Sequence, residues 1–255
     1  MILKIQHFVT IVTFCGLISC SESGSTLAKI DAGQISIDST ISEVKAIETF
    51  TAPYRERIDE VLDSALAFAP ANYGKTDGKY NTTAGNLMAD IVMAQADPIF
   101  NSRTGNHIDF VLLNHGGIRA PISKGTVTAR TAYEVMPFEN TIVVVELSAE
   151  SVLDMVDYLI QSKRAHPISK ELQLVLKVDG SLSRIRVNGE PLDKDRNYFV
   201  ATSNYLVTGG DNMGFFKDGL AQTETDYFIR NAMIDYFKKV DTLSAEVDNR
   251  FYMLK

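Results

Sequence analysis

The chain has 255 residues, 45% hydrophobic and 22% charged, an ordinary globular composition able to bury a full core. That length admits one large domain or two small ones. A formal net charge of -7 argues against an electrostatic grip on a nucleic-acid polymer and leaves open a single small anion held by one or two placed cations.

Lys4 followed by the mostly apolar residues 5–18 reads as an export signal, too short to span a bilayer as a mature helix. It ends Leu17-Ile18-Ser19-Cys20, which resembles a bacterial lipoprotein box; a plain secretory signal is the other reading. Residues 1–19 are therefore expected as a signal peptide, Cys20 as the lipidated new N-terminus, and residues 20–39 as a flexible tether. Cys15 falls in the removed part, so the mature chain is expected to form no intrachain disulfide. The expected location is the bacterial cell envelope, lipid-anchored and facing the periplasm or the cell surface.

Residues 40–59 are predicted helical, since Ile41, Val44, Ile47, Phe50, Tyr54 and Ile58 recur at three- or four-residue steps; Pro53 should kink that helix. Residues 61–68 are ambiguous between helix end and strand, and residues 72–80 read as a loop. Thr83 is the expected cap of a second helix running to about residue 96. Residues 110–113 and 141–147 are apolar runs typical of buried strands. Ser148 looks like the cap of a helix that turns Val152, Met155, Val156 and Leu159 inward. Residues 172–178 and 184–187 alternate as strands, with a tight turn at Asn188-Gly189. Residues 198–202 form a further strand and residues 227–240 a final amphipathic helix. No internal repeat or Pro-rich linker interrupts the body, so one mixed α/β (α+β) domain with mixed sheets and flanking helices is expected over residues 40–255.

Two segments follow predicted strands and carry the chemistry. One is Asn114-His115-Gly116-Gly117-Ile118-Arg119, with Pro137-Phe138-Glu139-Asn140 shortly after; the other runs from Tyr205 to Gly209-Gly210-Asp211. Each sets a glycine pair beside a charged residue with an aromatic within reach, which suits a flat aromatic ligand bearing hydroxyls and phosphate, as nucleosides and nucleotides are. Arg119 offers a planar, permanently charged fork, Gly116 and Gly117 let backbone approach closely, and Asn114 both donates and accepts. Taken singly each has a plainer reading: a salt bridge for Arg119, a turn for the glycines, core packing for Phe138, a turn-forming role for Asp211. His107, His115 and His166 show no ligand spacing of a two-metal phosphoesterase, and no Walker loop, nucleophile elbow or dinucleotide-binding glycine motif is present.

The motifs Asn-x-Gly-Gly-Ile-Arg, Pro-Phe-x-Asn and Gly-Gly-Asp, in that order, resemble the C-terminal domain of the 5′-nucleotidases, the family of bacterial UDP-sugar hydrolase and animal ecto-5′-nucleotidase. The likeness covers roughly residues 40–251. It implies that Phe138 and Tyr205 sandwich the base, that Asp211 in the Gly210-Asp211 turn holds the ribose hydroxyls, that Asn114 and Asn140 contact base or ribose, and that Arg119, beside Gly117, reaches the phosphate. Tyr205 stands where the family has phenylalanine. The family's additional arginine is missing just before the segment matching residues 83–87, where Lys79 and Tyr80 lie. The family's metal-bearing catalytic domain is also absent from the sequence, so the chain is expected to be inactive alone and to hold no cofactor. Divalent metals would belong to a separate metallophosphoesterase chain. A non-enzymatic surface receptor for nucleosides or nucleotides, or a vestigial assembly lipoprotein, are the competing readings.

Overall fold

The computed structural model describes Leu27 and residues 29–162 and 164–255; the signal-like segment, Cys20 with its box, and the first part of the tether lie outside them. The chain divides into two compact units, residues 1–50 and 51–255. In the first, a turn closed by the Asp38 side chain, which accepts from the Thr40 amide at 2.9 Å, precedes the start of helix α1 (Lys45–Leu62). This turn delays the helix relative to the predicted residue 40. The helix contains Pro53 and buries none of its residues, so the apolar steps produced a helix without a core face.

The second unit is organised by β4 (Thr141–Ser148), a β-branched strand whose side chains alternate between two cores. Ile142 and Val144 point into one, Val143, Val145 and Leu147 into the other. Its neighbours do the same: in β2 (Phe110–Val111) and β8 (Asn197–Ser203), Val111 and Ala201 join the first core, Phe110 and Val200 the second. With β9 (Ala221–Phe228) these strands form a sheet of order β2-β8-β4-β9, in which β2 runs parallel to β8 and the other pairs are antiparallel. Helices α2 (Thr83–Thr104) and α5 (Ile229–Phe237) close the first core. On the other face lie helix α4 (Ala149–Gln161) and a second sheet of order β10-β5-β6-β7. That sheet comprises β5 (Leu172–Leu176), β6 (Leu182–Val187), β7 (Glu190–Pro191) and β10 (Phe251–Met253). A small antiparallel pair, β1 (Ala65–Ala69) with β3 (Gly125–Thr128), and helix α3 (Ala129–Val135) complete the unit.

The expected mixed α/β class holds. Ser148 caps α4 by accepting from the Ser151 amide, and Val152, Met155, Val156 and Leu159 are buried as predicted. Asn188 and Gly189 both take positive φ, 52° and 84°, as a tight hairpin turn requires. The second helix is capped by Thr82, not Thr83: the Thr82 hydroxyl accepts from the Gly85 amide, while Thr83 bonds to Asp77. That helix also continues past Pro98 to Thr104, where Gly105 in the left-handed region ends it. Tyr227 and Phe228 end strand β9 and do not begin the last helix.

The C-terminal segment is stitched to the body by Arg250, whose side chain is 5% exposed. It donates to Asp90 and Asp248 at 2.8–3.1 Å and to the Ile168 carbonyl at 2.7 Å. Replacing Arg250 by Met strips two carboxylates and a buried carbonyl of their donor. The variant should lose about 3 kcal/mol of stability, read as a lower urea midpoint at unchanged denaturant slope.

Candidate functional site

The sheet register brings the three motif loops to one edge. Because Phe110 pairs in parallel with Val200, the segments that follow β2 and β8 leave the sheet at the same end. Because Ile142 pairs antiparallel with Ser203, the loop that precedes β4 arrives there too. Ligand sites in α/β sheets collect at such strand ends. The loops enclose a cavity of about 310 Å³ lined by Asn114, Gly116, Gly117, Arg119, Phe138, Asn140, Tyr205 and Asp211, within the size range of small-ligand sites. Seven of the eight residues singled out from sequence line it. The eighth, Gly210, sits behind Tyr205: a Cβ there would come within 2.5 Å of the Tyr205 ring, so glycine is what lets the ring lie against this turn.

Asp211 is the hub. Its carboxylate accepts from the Asn114 amide at 2.8 Å and from the Tyr205 hydroxyl at 3.3 Å. One bond thus ties the loop after β2 to the loop after β8. Phe138 and Tyr205 are each 42% exposed, high for large rings on a well-packed body, so both present a face to the cavity. Arg119 forms no ion pair among the described residues; its guanidinium lies 5.9 Å from the Phe138 ring centre. A cation beside an open aromatic face, with a hydrogen-bonded carboxylate in the same cavity, can receive a planar ligand that carries both an anion and hydroxyl groups.

Three supports lay beyond the sequence signal. Lys75 donates to the carbonyl of Ile118, next to Arg119, at 2.7 Å. Arg230, 7% exposed, lies 4.1 Å over the Tyr133 ring and donates to the carbonyls of Pro137 and Phe138, so it braces the loop that presents Phe138. His166 is also buried. Its Nδ1 accepts the His115 backbone amide at 3.3 Å and its Nε2 meets the Ser162 hydroxyl at 3.0 Å, while the His115 ring is engaged with the Ala165 carbonyl. Lys79 and Tyr80 lie away from the cavity: Lys79 covers the Tyr80 ring, which packs on Phe251. Among the described residues no group of three or more His, Cys, Asp or Glu could hold a metal ion.

Burial pulls the His166 pKa from 6.5 down to about 4. A depressed histidine is neutral in the folded state, so its contribution is complete above the unfolded value near 6.5. It is lost as pH falls toward 4, where protonation would put a proton on the Nδ1 that accepts from His115. Stability should therefore drop by up to about 3 kcal/mol between pH 7 and pH 4 from this group alone. A His166→Gln protein should show a flatter stability profile across that window in denaturant titrations at stepped pH.

Known proteins resemble this chain in sequence and in fold. A sequence model of the family described as 5′-nucleotidase, C-terminal domain, matches residues 64–218, more than half of the chain. Protein UshA of Escherichia coli is 26% identical over 210 residues, covering 81% of this chain and 37% of UshA. The 5′-nucleotidase of Homo sapiens is 25% identical over 262 residues, covering 91% of this chain and 44% of its own. The crystal structure of a 5′-nucleotidase precursor from Thermus thermophilus superposes with a TM-score of 0.67 at 25% identity, over 82% of this chain and 42% of that one. The chain thus spans less than half the length of each of these relatives.

Proposed function

Because the chain belongs to the 5′-nucleotidase C-terminal domain family, we propose that it is the nucleoside- and nucleotide-binding part of a 5′-nucleotidase system that breaks down nucleotides. The base stacks between Phe138 and Tyr205, the ribose diol bonds to the Asp211 carboxylate, Asn114 and Asn140 fix the edge of base or ribose, and Arg119 faces the phosphate. The observation that carries this reading is the pair of exposed rings on a cavity whose one carboxylate is held by Asn114. The family match favours it over a surface receptor with no link to hydrolysis.

Hydrolysis we assign to a separate metallophosphoesterase half that carries the divalent metals, with this chain supplying binding and orientation. We further propose that the chain sits in the bacterial envelope, anchored through a lipid on Cys20 and facing the periplasm or the surface. Among the described residues no helix is long and apolar enough to cross a membrane.

Calorimetric titration with adenine, adenosine and AMP tests the site. Phe138→Ala or Tyr205→Ala should weaken all three by about 5- to 150-fold, the range of base–aromatic stacking. Asp211→Asn should weaken adenosine more than adenine, and Arg119→Ala should narrow the gap between AMP and adenosine. If no ligand binds, with or without the catalytic half, or if the aromatic variants bind like the parent, the assignment is wrong.

The division of labour has its own assay. With Mg²⁺, Mn²⁺ or Zn²⁺, the purified chain should release no phosphate from AMP, and adding the metallophosphoesterase half should restore chelator-sensitive release. Chelator-sensitive hydrolysis by the chain alone would refute the division.

A further inference from the structure

We propose that Tyr158 is a positioning residue: reaching from α4, its hydroxyl holds the backbone turn that aims Asp211 into the cavity, and so sets the affinity for ligands that carry a vicinal diol. The proposal rests on Asp211 being the diol acceptor, and goes beyond it by naming what keeps Asp211 in place.

The turn needs holding. Gly209, Asp211 and Asn212 all have left-handed backbone, with φ of 90°, 51° and 61°. Glycine adopts this freely, but side-chain-bearing residues keep it only when their surroundings over-determine it. The contacts that do so are of two kinds. Asn114 and Tyr205 bond to the Asp211 carboxylate from within the cavity, where an incoming ligand competes for the same oxygens. Tyr158 does not line that cavity. Its hydroxyl donates to the Asp211 backbone carbonyl at 2.8 Å, so this bond persists when the carboxylate changes partners.

Tyr158 is itself fixed. Its helix is anchored by the buried Val152, Met155, Val156 and Leu159. Its ring stands edge-on to Phe215, centres 5.7 Å apart, and lies 5.5 Å from the His166 ring. Burial and the nearby Asp211 charge raise the phenol pKa above its ordinary value, so the hydroxyl stays a donor at neutral pH. A carboxylate that grips two hydroxyls must be placed closely. A turn free to relax from left-handed backbone would move the Asp211 Cα and both oxygens with it.

The test is Tyr158→Phe, which keeps the ring packing and removes the one bond. Amide hydrogen exchange is followed at Gly209 and Met213, whose N–H groups close this turn onto Leu206 and Gly210, and adenosine and adenine are titrated in parallel. Exchange at these two amides should quicken several-fold while α4 amides stay as in the parent. Adenosine should bind about 3- to 10-fold more weakly, the scale of one hydrogen bond, with adenine within twofold of the parent. In an Asp211→Ala background the same substitution should change adenosine affinity less than twofold. Unchanged exchange at Gly209 and Met213 overturns the proposal whatever binds. An equal loss for adenine and adenosine, or a loss that persists without the Asp211 carboxylate, also overturns it. A parent protein that binds no adenosine sinks the nucleoside reading instead, and the exchange rates alone then decide whether Tyr158 holds the turn.

Discussion

Burial of strands β2, β8 and β4 on both faces of their sheet is the constraint from which the rest follows. A strand such as β4 cannot slip by one residue, because a slip would exchange the side chains of two filled cores. Register is therefore fixed, and with it the place where β2 and β8 end and β4 begins. Asn114, Asn140 and Tyr205 lie just beyond those ends, in segments widely separated in sequence. Their convergence on one cavity is a property of the sheet, and no local propensity of any loop would supply it.

Charge is used sparingly at that edge. The chain is acidic overall, yet its candidate anion contact, Arg119, is kept out of ion pairs among the described residues. The acidic group of the cavity is occupied by neutral donors, Asn114 and Tyr205. Were Asp211 paired with Arg119, both groups would have to be pulled apart before a ligand could enter. Neutral donors order the carboxylate at lower cost to exchange. Two further cations nearby, Lys75 and Arg230, spend bonds on backbone carbonyls and so shape loops.

The legible parts of this molecule were those where local pattern and tertiary role coincide. Strand β4 and helix α4 could be read because their apolar patterns match the faces they bury, and the cavity residues because three short motifs resemble those of a known family in kind and order. Strand β9, Ala-Gln-Thr-Glu-Thr-Asp-Tyr-Phe, was invisible because it lies at a sheet edge, where pairing to β4 and not side-chain burial makes it a strand. The Thr82 cap was misplaced by one residue because two adjacent threonines offer the same hydroxyl and only the Asp77 loop decides between them. Of the braces behind the site, Tyr158 and Arg230 belong to no motif that would mark them in sequence, and His166 is one of three histidines without ligand spacing. Their meaning lies in contacts to loops far along the chain.

The parallel pairing of β2 with β8 has a kinetic side. The two strands are separated by residues 112–196, so their contact closes a long loop, and the entropy of that closure must be met before any bond between them repays it. The edge at which the motif loops meet is therefore assembled late. Fragments or compact intermediates containing one motif have at most half a pocket. Under the proposed function, ligand recognition reports that the whole sheet has closed.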